Sequence, residues 1–155
     1  MNSYQERCVF CQISCGKSPC YKVWENNNYM AFLSIFPNTK GLTVLIPKIH
    51  QSSYIFDQDN QGIANIMLAT KEVAALIVRK LDTVARVATV FEGYGVDHLH
   101  VKLFPLHDTV GPWRVINADY KINTKYTTYP GYISTHDGDR ASDKELKEVA
   151  DLLTK

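Results

Sequence analysis

The sequence predicts an α+β fold with a largely antiparallel sheet of about five strands. Three observations support this class: strand-like segments come first, one long amphipathic helix follows, and further strands precede a final helix. That order is typical of domains in which helices and strands are segregated. A chain of 155 residues suits a single domain over 1–155. We expect a core over about 4–107 and a C-terminal extension over 108–155.

The first half of the chain carries three strand signals. Runs of β-branched, aromatic and apolar residues are separated by clusters of Asn, Pro and Gly, which favour turns. The turns are expected at Asn26–Asn28 and from Pro37 to Gly41. The predicted elements are a short helix or turn over 4–13, a loop over 16–19, and strands over about 21–25, 29–35 and 42–47.

The clearest helical period covers residues 60–81. Apolar side chains recur there every three or four residues, while most charged side chains lie elsewhere. Asp57 or Asp59 is expected to cap the start of this helix. The predicted buried stripe consists of Ile63, Ile66, Met67, Thr70, Val73, Ala74, Ile77 and Leu81.

Two more strands and a final helix complete the predicted fold. The strands cover 85–93 and 98–106, the second ending near Pro105. The segment SDKE at 142–145 has the capping-box pattern that begins a helix. The apolar face of this C-terminal helix consists of Leu146, Val149, Ala150 and Leu153.

The composition indicates which partners to expect. A formal net charge of +1 gives no basic excess for binding a nucleic acid polymer. We see no apolar run of membrane-spanning length and no secretion signal at the N-terminus, so we expect no membrane partner and a cytoplasmic location. In that reducing compartment, the four cysteines are expected to be thiols or metal ligands.

The segment GVDHLHVKLFP at 95–105 places three polar side chains at alternating positions. On a strand, His98, His100 and Lys102 would share one face, with the apolar residues between them packed behind. A strand with one solvent-exposed face would show the same pattern without any chemistry. The nearby Gly93 and Gly95 would let a phosphate approach main-chain N–H groups.

The spacing Cys8-x₂-Cys11 is the usual geometry for two thiolates on one zinc ion. Taken alone it is half of a site, and two buried thiols without a metal would produce the same pattern. Cys15 and Cys20 are rival ligands, although the four cysteines together match no standard iron–sulfur spacing.

Three blocks together resemble the histidine triad (HIT) superfamily of nucleotide hydrolases and transferases. CVFCQI with GKSP and VWENNNYMAFLSIFP is similar to the family's N-terminal stretch, GLTVLIPKIH to its GHxLVIPKxH segment, and HLHVKLF to its HxHxHxx signature. The resemblance covers residues 8–105. Lys102 stands where the family has its third histidine, which makes the chain a divergent HxHxK variant. Leu42 and Ser34 replace a histidine and an aspartate of the family pattern.

The resemblance implies a HIT-like fold, usually a homodimer, and a reaction at the α-phosphate of a nucleotide conjugate. The bond broken would be a phosphoanhydride, a phosphoramidate or a related bond. His100 would attack phosphorus and form a nucleotidyl-histidine that water then hydrolyses. Lys102 would neutralise charge on the phosphoryl oxygens or donate a proton to the leaving group.

The resemblance also implies binding residues and a metal site. Ser34 takes the position that holds the ribose hydroxyls, and a structural Cys₂His₂ zinc site would consist of Cys8, Cys11, His50 and His98. The residues matching the family's base pocket are Val9, Phe10, Ile13, Phe32 and Ile35.

Two alternatives to a HIT-type nucleotide hydrolase or transferase stay open. His98 and His100 could chelate a catalytic zinc together with a third ligand and activate water. The scaffold could also bind nucleotides with weakened or lost catalysis.

Overall fold

A computed structural model describes residues 4–115 of the chain. These residues form the predicted α+β fold, with a five-stranded antiparallel sheet and one long helix. A short turn of 3₁₀ helix, Ile55–Asp57, precedes the long helix. The helices are α1 (Val9–Ser14) and α2 (Asn60–Lys80), and the strands are β1 (Lys22–Glu25), β2 (Tyr29–Leu33), β3 (Thr43–Pro47), β4 (Arg86–Val90) and β5 (Val101–Leu106).

The sheet has the strand order β1-β2-β3-β5-β4, and every neighbouring pair is antiparallel. The first hairpin turns where the asparagine cluster predicts it. The side-chain oxygen of Asn26 accepts hydrogen bonds from the backbone N–H groups of Asn28 and Tyr29, at 2.9 and 2.8 Å. This local bonding is how asparagine favours turns over extended structure.

Different elements pack on the two faces of the sheet. Successive residues of a strand point to opposite faces, so β2 contributes to two cores. Tyr29 and Ala31 belong to the main core, where α2 packs on the sheet. Met30 and Phe32 belong to a smaller cluster on the opposite face, against which Phe10 of α1 packs. The histidine-rich segment and α1 meet on this second face.

Helix α2 is the main cover of the sheet. Asp59 is its N-cap, and its carboxylate accepts from the N–H of Gly62 at 2.6 Å, so Asp59 rather than Asp57 has the capping role. Met67, predicted to be buried, is 46% exposed, because the buried face passes through Ala69 instead. The buried residues of α2 are Ile66, Ala69, Thr70, Val73 and Ile77.

By length and composition alone, α2 could cross a membrane, which the sequence analysis did not anticipate. Its most buried side chains pack into the core of this fold, however. A core helix is apolar for that reason, and one such helix is weak evidence for a membrane span.

The last strand of the sheet begins later than predicted. His98 and His100 lie just before β5, which begins at Val101, instead of within a strand over 98–106. In a β-strand, the N–H and C=O groups of one residue point toward the same neighbouring strand. Pro47 of β3 has no N–H, and its carbonyl accepts from the ring of His98 at 2.9 Å. The β3–β5 ladder therefore stops at the pair Leu45–Val101.

Two other predicted strands are shorter than expected. The second strand ends at Leu33 instead of residue 35, and the fourth covers Arg86–Val90 instead of 85–93. By its contacts the chain divides into two compact units, Met1–Pro112 and Trp113–Lys155. The predicted C-terminal helix lies outside the described residues, so it and the single-domain organisation stay predictions.

Candidate functional site

His100 has the hydrogen bonding of a nucleophilic imidazole. Its Nδ1–H donates to the backbone carbonyl of His98 at 2.7 Å. This bond fixes the tautomer and leaves Nε2 with the lone pair. Within residues 4–115, Nε2 has no hydrogen-bond partner. Burial lowers the pKa of His100, while the bond to the His98 carbonyl raises it less. The ring is therefore neutral at neutral pH.

An apolar wall borders the two histidines. The ring of Phe10 meets those of His98 and His100 edge-on, with centroid distances of 5.9 and 5.4 Å. Phe10 also packs on Phe32, at 5.6 Å, and Ile13 joins the same cluster. The structure thus brings three predicted pocket residues, Phe10, Ile13 and Phe32, to the face that carries His100.

Lys102 lies on the same face, and its charge is already paired. Its register partners are Val44 on β3 and Val90 on β4, so both flanking side chains are apolar. The ammonium group forms an ion pair with Glu92, whose side chain is only 14% exposed. Burial lowers the pKa of Lys102.

Glu92 is a residue that the sequence analysis missed. It stands in the predicted strand over 85–93, but sequence alone does not say which strand lies beside which. The observed register supplies the missing information: Val90 lies opposite Lys102, and the carboxylate two residues beyond Val90 reaches the same lysine.

Four possible metal ligands converge next to the histidine segment. One ligand atom from each of Cys8, Cys11, His50 and His98 lies within 4.8 Å of the other three. The Sγ atoms of Cys8 and Cys11 are 3.4 and 3.5 Å from Nδ1 of His98, and Cys11 Sγ is 3.5 Å from Nδ1 of His50. Zinc–sulfur and zinc–nitrogen bonds of about 2.3 and 2.05 Å at tetrahedral angles give a sulfur–nitrogen separation of about 3.5 Å. The donor set therefore fits zinc.

His98 connects this cluster to the sheet. Its Nδ1 faces the two thiols, while its Nε2–H donates to the carbonyl of Pro47. Burial lowers the pKa of His98 to about 4, which the Pro47 bond only partly offsets. The imidazole is neutral at physiological pH, as a metal ligand must be.

Gly93 and Gly95 are not equivalent. Gly93 has φ +76°, and a Cβ placed there would lie 3.1 Å from the carbonyl oxygen of Ser53. Gly95 has no atom within 4 Å of such a Cβ. Asp97 secures the same loop by accepting from the N–H of Ser53 at 3.1 Å. The backbone conformation and the close contact with Ser53 thus require glycine at position 93, whereas a Cβ at position 95 would meet no other atom.

A cavity of about 370 Å³ is lined by two of the predicted substrate-binding residues, Val9 and Gly95. The other residues lining it are Gln5, Arg7, Cys8, Val96 and Asp97. Ser34 and Ile35 follow β2, and Ile35 is 68% exposed. The Ser34 hydroxyl oxygen accepts from the N–H of Phe36 at 3.2 Å, which is a local turn contact.

The remaining candidates have structural surroundings. Leu42 is 5% exposed and replaces a polar family residue with an apolar one. His107 bonds to the hydroxyl of Thr83 and the carbonyl of Lys40, at 2.7 and 2.9 Å. Cys15 is exposed, and Cys20 packs beside the smaller core cluster instead of joining the metal-ligand cluster.

Comparison with known proteins places this arrangement in a family. The family model for the HIT domain matches residues 16–109, more than half of the chain. The chain belongs to the HIT family. Adenosine 5'-monophosphoramidase hnt1 of Schizosaccharomyces pombe is 30% identical over 127 residues, which cover 79% of this chain and 85% of that protein.

Solved HIT structures agree with the fold. A HIT family hydrolase from Legionella pneumophila is 28% identical with a TM-score of 0.56, covering 68% of this chain and 98% of its own. A zinc-bound histidine triad family protein from Mycobacterium smegmatis is 25% identical with a TM-score of 0.59, covering 64% and 74%. The HIT family thus includes nucleotide hydrolases and at least one zinc-bound member.

The two loop glycines give a matched stability test. Gly93→Ala should lower the free energy of unfolding by about 1–3 kcal/mol, because alanine is strained at positive φ and its Cβ would press on Ser53. Gly95→Ala should change it by less than about 0.5 kcal/mol. Urea denaturation of both variants measures the difference, and equal effects would contradict the assigned backbone role of Gly93.

Proposed function

We propose that this HIT protein is a nucleotide hydrolase or transferase that forms a covalent nucleotidyl-histidine at His100. The observation that carries the proposal is the hydrogen bond from Nδ1 of His100 to the His98 carbonyl. It leaves Nε2 as the nucleophilic nitrogen of a neutral ring, which is what attack on phosphorus requires. The relationship to a nucleotide phosphoramidase supports the same chemistry.

The reaction has two steps. Nε2 of His100 bonds to the α-phosphorus as the bond from phosphorus to the leaving group breaks. The carbonyl of His98 stabilises the positive charge that the imidazole then carries, since it accepts the Nδ1–H. Water next attacks phosphorus, the phosphorus–nitrogen bond breaks, and the neutral imidazole is restored. Transfer to another acceptor in place of water makes the same enzyme a transferase.

The substrate is a nucleotide conjugate of the phosphoramidate or dinucleoside polyphosphate type. Phe10 and Phe32 offer an aromatic wall on which a base can stack, next to His100. Ser34, in place of the family's aspartate, offers the ribose one hydroxyl instead of a carboxylate, which makes a weaker hydrogen bond. Val9, Ile13 and Ile35 complete the proposed base site.

We further propose that Cys8, Cys11, His50 and His98 bind a structural zinc ion. Four protein donors complete a tetrahedron and leave no position for a catalytic water. His100 is outside this ligand group. The ion would cross-link the N-terminal segment to the histidine segment, and the chemistry at phosphorus needs no metal. This arrangement supports a histidine nucleophile over a zinc-dependent hydrolase.

The protein is also proposed to act as a cytoplasmic homodimer. Strand β4 lies at an edge of the sheet, and α2 exposes Met67 and Leu68, at 46% and 60%. An open strand edge and exposed apolar side chains favour association.

His100→Ala should abolish the covalent intermediate while the fold is retained. Wild-type protein is mixed briefly with adenosine 5′-phosphoramidate, denatured at alkaline pH to preserve the phosphorus–nitrogen bond, and analysed by mass spectrometry. We expect a nucleoside-monophosphate adduct on His100 and a loss of turnover of at least about 1,000-fold in the variant. His107→Ala is the matched control and should keep the adduct. Nucleotide binding without any adduct or turnover would indicate the catalytically weakened alternative.

Cys8→Ser should remove bound zinc and lower the thermal midpoint, because three donors hold zinc more weakly than four. Metal content by elemental analysis and thermal unfolding measure the two effects. Cys15→Ser, which changes an exposed thiol outside the cluster, should keep both values. Unchanged zinc in Cys8→Ser would show that the ligands are assigned wrongly. Rapid loss of turnover on chelation without loss of structure would indicate a catalytic metal.

Leu68→Glu should shift a dimer toward monomer, because a charge on the exposed face of α2 disfavours burial in an interface. Sedimentation velocity at several concentrations measures the shift. Lys71→Glu changes charge on an exposed residue of the same helix and serves as the comparison. A wild-type protein that sediments as a monomer at high concentration would rule out the dimer.

A further inference from the structure

Glu92 points to the same face of the sheet as His100 and Lys102. The residue before it, Phe91, packs into the main core on the α2 side. Because successive residues of an extended chain alternate, Glu92 faces the opposite way. Lys102 is paired with Val90 at the end of the β4–β5 ladder, and Glu92, two residues beyond Val90, contacts the ammonium group of Lys102. A carboxylate therefore stands on the reacting face.

Contacts of both the backbone and the side chain fix the position of Glu92. Its backbone precedes Gly93, whose positive φ lets the chain pass tightly against Ser53. Its side chain forms the ion pair with Lys102. The exposed fractions are 14% for Glu92 and 31% for Lys102, against 42% and 47% for the surface pair of Glu25 and Lys22. A sheltered pair is screened less by water and salt than a surface pair.

The surroundings of Lys102 give this pair its importance. Its neighbours across β3 and β4 are Val44 and Val90, so they offer the ammonium no polar contact. Among the titratable groups on its face, Glu92 forms the ion pair with it, His100 lies two residues before it in the chain, His98 lies four residues before it, and Arg86 lies further along β4. Burial alone would favour the uncharged amine, which cannot donate a proton to a leaving group. The carboxylate of Glu92 opposes that tendency.

We propose that Glu92 is a positioning residue that holds the ammonium group of Lys102 beside His100, so that Lys102 protonates the leaving group. The inference rests on the proposed function, since it assigns a role within the transfer to His100. It deepens that function by adding a residue outside the histidine motif. The Lys102–Glu92 pair would thus take over the third position of the motif.

The proton balance of the reaction closes with these groups. As His100 bonds to phosphorus, the bond to the leaving group breaks with its electron pair, and one proton moves from Lys102 to the departing atom. Lys102 is then a neutral amine that can accept a hydrogen bond. When water attacks the nucleotidyl-histidine, its oxygen bonds to phosphorus and the bond from phosphorus to Nε2 of His100 breaks, leaving its electron pair on the ring. One proton from the water moves to Lys102. The free enzyme is restored without another reactant.

The pair also determines which substrates benefit. Together the two side chains carry no net charge, so the site gains little general attraction for phosphate from Lys102. What Lys102 supplies to the site is a proton that it can donate to the leaving group. Substrates whose leaving group must be protonated, such as an amine, depend on that proton. A leaving group that is stable as an anion does not.

The test compares two substrates in Glu92→Gln. They are adenosine 5′-phosphoramidate, whose amine needs a proton, and adenosine 5′-(4-nitrophenyl) phosphate, whose phenolate leaves as an anion. For the phosphoramidate, kcat should fall by about 10- to 100-fold with little change in KM, because proton donation contributes to the transition state. For the nitrophenyl ester the fall should be less than about 3-fold. The basic limb of the phosphoramidate kcat profile should move to lower pH by about one unit or more.

Three further variants separate positioning from folding. Glu92→Asp keeps the carboxylate and should recover part of the lost rate. Lys102→Arg keeps a charge that can pair with Glu92 but holds its proton too firmly, so it should lose phosphoramidate turnover and keep ester turnover. Glu25→Gln removes a carboxylate from an exposed ion pair and should leave both rates unchanged. If Glu92→Gln does not fold, as judged by circular dichroism, the first two variants carry the test.

The possible outcomes distinguish this inference from the proposed function. Equal losses on both substrates in Glu92→Gln, or a basic limb that stays in place, would overturn the role of Glu92 alone when wild-type protein still forms the adduct. A wild-type protein that forms no adduct on His100 would overturn both. Selective loss on the phosphoramidate with a shifted basic limb supports the assignment.

Discussion

The arrangement of the site depends on His98, which is completely buried and makes contacts in three directions. One ring nitrogen faces the two thiols, the other donates to Pro47, and the backbone carbonyl accepts from His100. A buried imidazole whose ring nitrogens lacked partners would lower the free energy of unfolding. Both ring contacts therefore stabilise His98 in its buried position. The ring of His100, the proposed nucleophile, takes its orientation from the backbone of His98. The group of possible metal ligands, the central strand β3 and His100 are therefore connected through this one residue.

The N-terminal segment depends on the same unit. Helix α1 has only six residues, too few to be stable alone in water. Cys8 is its N-cap and Cys11 lies inside it, so both of its thiols belong to the ligand cluster. Phe10 lies between them in sequence and packs on the histidine rings. A metal ion bound at the cluster, as proposed, would therefore also fix the position of the aromatic wall.

Local patterns in the sequence predict much of this fold. The period of α2 and the asparagine turn follow from residue spacing, and both agree with the structure. The pairing of Cys8 and Cys11 with His50 and His98 came from family resemblance, and the structure brings these side chains together. The predicted start of β5 was wrong. Polar and apolar residues alternate back to His98, whereas β5 itself begins only at Val101.

The role proposed for Glu92 could not be derived from the sequence alone, because it depends on which strand lies beside which. Its contact with Lys102 joins residues ten positions apart across two strands. Sequence spacing describes one strand at a time and gives no register between strands. For the same reason, the sequence did not show that Val9 and Gly95, which lie far apart along the chain, line the same cavity.

Pro47 illustrates how an interruption can create a site. A proline within a central strand normally weakens a sheet, because it removes a donor from the ladder. Here the missing donor keeps two neighbouring strands from closing on each other, and a side chain takes the freed acceptor. The imidazole of His98 occupies the position next to Pro47 where a further backbone pair would otherwise form. The proposed nucleophile, His100, therefore lies where the regular structure ends, one residue from the last paired position, Val101.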